Sequence, residues 1–189
     1  PQRARQQALE ALASGSSKNT QSVAALVLAR SGDRKRAGSL ADDLSKQYPS
    51  DTLVNNYWIP SVRAAIALDE KNPGAALEAL QPAAPYDLAS PLPGIAFLYP
   101  VYLRGLAYLQ AGEGKLAAAE FQKILDHRGI ILNFPTAALA HLQLARAKAI
   151  AGDKDGAREA YRDFLALWKE ADADNPVLRE AKAEYEKLK

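Results

Sequence analysis

The sequence holds no cysteine, which excludes disulfide frameworks, thiolate nucleophiles and cysteine-ligated zinc or iron–sulfur sites together and leaves the redox compartment open. Methionine is absent too, and the first residue is Pro1. The expectation is a segment of a longer polypeptide, with its localisation signals written elsewhere. Histidine occurs only as His127 and His141, neither with a second ligand at metal-binding spacing, so no metal and no cofactor is expected. His127 reads as a helix-end residue, where a cation suits the dipole, and His141 as helix interior. Neither sign of charge prevails: 24 basic against 22 acidic side chains leave +2, too balanced for a binder of phosphate backbones, and nucleic acid is not an expected partner. The longest apolar run, Val23 to Ala29, is far short of the roughly 20 residues a bilayer requires. Residues Pro1 to Ala13 lack the apolar core of a signal peptide. This segment is therefore not expected to insert into a membrane.

What is present is alanine in quantity, within a hydrophobic share of 48%. Alanine forms helix readily, and its small side chain lets helices approach closely. Three bends follow helical apolar patterns: Ser31-Gly32-Asp33, Ala111-Gly112-Glu113 and Ala151-Gly152-Asp153. Glycine there can take the left-handed conformation that ends a helix. Lys71-Asn72-Pro73-Gly74 does the same work with different residues, its proline placed to open the next helix. The four bends recur at roughly 40 residues, a helix–turn–helix period.

The register around the bends is stricter than their spacing. Seven residues before each comes a small residue (Ala25, Ala64, Gly105, Ala145), and five after it an alanine (Ala37, Ala76, Ala117, Ala157). Four further on stand Ala41, Leu80, Phe121 and Tyr161. Small residues suit the crossing of two antiparallel helices, and a larger one a turn later fills the space between successive pairs.

Gly105, Tyr108, Ala117 and Phe121, with Leu144, Ala145, Ala157 and Tyr161, and Leu28, Ala37 and Pro49, resemble the tetratricopeptide repeat pattern. The family's early tryptophan is missing, the second unit diverges most, and the units exceed the family's roughly 34 residues. The resemblance implies an all-α fold: a right-handed superhelical stack of antiparallel helix pairs, about four repeats and a capping helix. The whole of 1–189 reads as one repeat domain, with units near 18–50, 53–90, 95–134 and 136–174 and a terminal helix at 176–188. Helices are expected near 3–13, 20–30, 34–47, 53–70, 74–80, 95–111, 114–127, 136–151, 154–170 and 177–188. The first reads as the second half of a truncated repeat. Asn175 and Pro176 cap and open the last, a polar lid. Pro82 to Gly94, with four prolines, reads as an irregular ordered loop, and Asp126 to Pro135, with Ile130, Ile131 and Leu132, as a loop packing back on the helices.

Other signals are weak. Gly112-Glu113-Gly114-Lys115 resembles a phosphate loop but lacks the longer glycine spacing, the following Ser or Thr and the preceding strand. Asp42-Asp43, Asp172 with Asp174, and Arg34-Lys35-Arg36 read as solvated faces. No nucleophile stands near a base, so this segment is not expected to be an enzyme.

In the tetratricopeptide geometry, first helices line a concave surface. That places Trp58, Ser61, Tyr99, Tyr102, Leu106, Leu142 and Arg146 on or near it, as candidate contacts for a protein or peptide. Aromatic residues at helical spacing read equally as core, with Pro60 and Pro100 beside them marking helix starts or kinks. The basic and amide pattern that clamps a partner's terminal carboxylate is not evident. The runs Tyr99 to Leu109, Ala118 to Gly129 and Tyr161 to Lys169 resemble the carboxy-terminal repeat region of acidobacterial serine/threonine protein kinases. That resemblance covers the chain from about Leu53 onward. It implies a regulatory or sensing module, with the kinase domain outside this sequence and, in kinases where a membrane span separates the two parts, an extracytoplasmic location. The alternative is a scaffold with no kinase attached.

Overall fold

The computed structural model describes residues 1–88, 98–132 and 134–188. Among them every regular element is helical and there is no strand. The chain divides into two compact units, Pro1–Ile95 and Ala96–Lys189.

The first unit holds α1 (Gln2–Ser14), α2 (Lys18–Arg30), α3 (Arg34–Gln47), a π-helical turn (Val54–Trp58) leading into α4 (Ile59–Asp69), α5 (Pro73–Ala79) and a 3-10 turn (Gln81–Tyr86). In the second unit are α6 (Tyr99–Gln110), α7 (Gly114–Asp126), the short α8 (Arg128–Ile131), α9 (Pro135–Ile150), α10 (Lys154–Leu167) and α11 (Pro176–Glu186). The expected start of α6 at 95–97 and the later part of the Pro82–Gly94 loop lie outside the described residues. The described part of that loop begins as the 3-10 turn, with Ala83 buried.

All four bends share one geometry. Gly32, Gly112 and Gly152 have φ of 85°, 77° and 83°, and Lys71 takes the same left-handed role at 60°. At each, the following amide bonds back five residues: Asp33 to the Leu28 carbonyl, Asn72 to Ala67, Glu113 to Tyr108 and Asp153 to Lys148, every one at 2.9 Å. This is the paired bond pattern of a Schellman cap, which satisfies carbonyls that a helix end leaves open. Asp33, Asn72 and Asp153 then accept a backbone N–H three residues on, opening the next helix. One tripeptide thus ends one helix and starts its antiparallel neighbour.

The small and large positions counted from these bends are all buried: Ala25, Ala64, Gly105 and Ala145 before, then Ala37, Ala76, Ala117 and Ala157, then Ala41, Leu80, Phe121 and Tyr161. A methyl group on Gly105 would lie 2.6 Å from Phe121 Cζ. The missing side chain is what admits the ring. Packing repeats as well. Helix α3 lies against both α2 and α4, α7 against α6 and α9, and α10 against α9 and α11, while α2 also meets α4 and α6 meets α9.

Two local features differ from the sequence reading. The expected helix at 53–70 contains the π-helical turn, with the Ile59 N–H bonded to the Val54 carbonyl. Pro60 has no N–H and its ring crowds the carbonyl four residues back, and a wider turn relieves that crowding. The Asp126–Pro135 connector folds as α8, with Ile131 buried and Leu132 exposed. The loop packs back through one apolar side chain and leaves another in water.

Candidate functional site

The seven candidate residues fall in both units. In the first, Trp58 closes the π-helical turn at 2% exposure, its ring edge-on to Tyr57 at 5.6 Å. Ser61 is fully buried, and its hydroxyl donates to the Tyr57 carbonyl at 2.7 Å. Both side chains are committed to the turn's interior. Beside them Lys18 Nζ meets Asp51 Oδ2 at 2.5 Å, and Asp51 Oδ1 accepts the Val54 N–H at 3.0 Å. These two contacts hold the Asp51 carboxyl below the usual carboxylate range. Trp58, Val54, Lys18 and Asp51 edge a pocket of about 40 Å³, room for about one water molecule.

In the second unit Tyr102 is 5% exposed and stands edge-on to Phe121 at 5.7 Å, with the tilted Tyr99 ring at 6.0 Å. Leu142 is fully buried. Trp58, Ser61, Tyr102 and Leu142 therefore offer almost no surface in this state, and the core reading of helically spaced apolar residues accounts for them. Tyr99, Leu106 and Arg146 are half-buried and keep some surface.

Arg146 is engaged within the chain. Its Nε and Nη2 hold Glu184 Oε2 and Oε1, each at 2.9 Å, and Nη2 also reaches Glu180 Oε2 at 3.1 Å. The Tyr161 hydroxyl donates to Glu184 Oε2 at 2.8 Å. Burial, then the Glu184 carboxylate, push the Tyr161 phenol well above its ordinary 10.0. A bidentate arginine fork on a carboxylate is the strong form of ion pair, and here it ties α11 to α9 and α10. Sequence reasoning missed this latch. Tyr161 and Glu184 are 23 residues apart, and no spacing rule connects a repeat position to a terminal helix.

His127 caps α7, its Nδ1 facing the Lys123 carbonyl at 2.8 Å. His141, buried within α9, has Nε2 3.3 Å from Arg128 of α8 and Nδ1 3.9 Å from Asp163 of α10. Burial first, with Arg128 adding, depresses its pKa below 6.5 against the opposing pull of Asp163. Arg34, from the basic cluster, pairs with Asp69 at 3.0 Å and Glu70 at 3.4 Å at the end of α4. Gly114, in the stretch that resembles a phosphate loop, sits where a methyl would strike the Ala151 nitrogen at 2.5 Å. That glycine serves helix packing.

Among the described residues no group of three or more His, Cys, Asp or Glu side chains is placed to hold a metal. No helix there is long and apolar enough to cross a membrane. No family model, no curated protein and no solved structure matches the chain.

Proposed function

We propose that this chain is a protein-interaction module of the tetratricopeptide type, its hairpins stacking right-handedly within each unit. On its resemblance to the repeat region of bacterial serine/threonine protein kinases, it serves as the regulatory part of such a kinase. The observation that supports the reading is the repetition of one hairpin: four caps with the same backbone bond pattern, each at the same distance from a buried small residue, alanine and filler. Repeated hairpins present first helices side by side, and such arrays recognise partners by extended surface. Tyr99 and Leu106 are the first-helix candidates whose surface is not taken up by α11.

A photo-crosslinking residue at position 106 should trap a partner, and Tyr99→Ala or Leu106→Glu should lose it. Leu116→Glu, on the exposed side of a second helix, should keep it. Equal loss in all three variants would remove the first-helix surface from the reading. The coding sequence upstream of Pro1 tests the kinase part: it should hold a strand lysine, a His-Arg-Asp loop and an Asp-Phe-Gly motif.

A further inference from the structure

Helix α8 is a single turn, and three features decide whether it stays in place. Its buried side chain, Ile131, seats it against α7 and α9. Its first residue, Arg128, is tied to His141 of α9, Nη2 to Nε2 at 3.3 Å, and has no carboxylate partner among the described residues. Against these two ties stands Leu132, which ends the helix at φ 52° and ψ −133° with 60% of its surface exposed. Glycine tolerates that backbone state, whereas leucine holds it only under constraint from its surroundings.

A guanidinium has no lone pair to offer, so Arg128 donates and His141 Nε2 accepts. The ring proton then sits on Nδ1, toward Asp163 Oδ2 of α10 at 3.9 Å. An added proton has one place to go, the Nε2 lone pair that Arg128 occupies. Protonation of His141 and the tie to α8 therefore exclude each other. The helices packed against α9 are α6, α7, α8 and α10. Among the described residues, the charges that act on the ring from them are Arg128 and Asp163, while Arg104 of α6 and Glu120 of α7 pair with each other at 2.9 Å. His127, next to Arg128, has Nδ1 2.8 Å from the Lys123 carbonyl, a bond that its Nδ1–H donates in the neutral and the charged ring alike.

We infer that α8 is an acid-released clasp, closed while His141 Nε2 accepts from Arg128 and opened when that nitrogen takes up a proton and the ring pairs with Asp163 instead. Opening lifts Ile131 off α7 and α9 and lets Leu132 leave its constrained backbone state, so the strain favours release once the tie is gone. Burial, with Arg128 adding, makes the ring harder to protonate while the clasp is closed, against the pull of Asp163. The closed form is thus complete above the ordinary 6.5 and is lost as pH falls below it. The clasp needs no ligand, so it and the partner-binding reading can fail separately.

The test is NMR on the full chain as pH is lowered from 7.5 to 5. Contacts of the Ile131 methyls with α7 and α9 should be lost, while those between Phe121 and Gly105 persist. In the unsubstituted chain the midpoint of that loss should coincide with the titration of His141 Nε2, read from its nitrogen shift, a comparison that needs no variant. In His141→Gln the amide oxygen can accept from Arg128 at every pH, so the Ile131 contacts should survive at pH 5. Four outcomes would overturn the inference. They are Ile131 contacts intact at pH 5, a midpoint that departs from that of the His141 ring, equal loss in His141→Gln, and loss of the Phe121 contacts together with those of Ile131, which would be unfolding of the unit.

Discussion

At the scale of single residues, volume is traded across the helix crossing. Gly105 admits Phe121, so Gly105→Ala should cost about 1–3 kcal/mol by overpacking. Adding Phe121→Leu should return part of that loss, a coupling that a double-mutant cycle in urea would measure. His141 makes stability depend on pH. The unfolded chain binds a proton near 6.5, while the buried ring, facing Arg128 of α8 and Asp163 of α10, binds one only at lower pH. Its stabilising contribution is thus complete above 6.5 and lost as pH falls below it. The melting temperature should drop between pH 7.5 and 5, and drop less in His141→Gln. The buried register was legible in the sequence, because small residues at fixed offsets from a bend can only meet where helices cross. The fate of Trp58 and Tyr102 was not. Helical spacing shows that side chains share a face, and burial depends on what that face meets, which only tertiary packing decides.

Among elements, the bends are the best-specified parts of the chain. Three use glycine for the left-handed residue, while Lys71 holds it with a side chain at φ 60°. Lys71→Gly should stabilise by about 1 kcal/mol, and Gly32→Ala should destabilise by a similar amount, both measured by thermal or chemical melts. The bends were readable because only a few residues tolerate that conformation. The π-helical turn before Pro60 was not, since proline signals a disturbance without saying whether the helix kinks, stops or widens. Helix α11 is held by side-chain hydrogen bonds to Glu180 and Glu184 as well as by its buried Leu178 and Ala181. Arg146→Ala leaves Glu184 without its fork and should speed amide exchange across Pro176–Glu186 by about tenfold or more, while exchange in α6 stays unchanged. Uniform acceleration through both helices would mean that the latch serves the unit's overall stability instead.

At the scale of the molecule, the period of roughly 40 residues continues through the proline-rich stretch with no break in register. The helices and hairpins could therefore be counted in the sequence, while the division into Pro1–Ile95 and Ala96–Lys189 left no mark on the spacing. Periodicity reports how each hairpin is built and is silent on how hairpins group into units. Because the same bend joins every pair at the same distance from its buried residues, the length of this chain is quantised. A variant lacking residues 112–151 would splice Ala111 onto Gly152-Asp153 and recreate the bend without a new joint, setting Tyr161 against Gly105. It should remain helical and melt cooperatively by circular dichroism. A cut a few residues shorter would rotate every later side chain off its partner, so change in such a chain comes most easily as whole hairpins gained or lost.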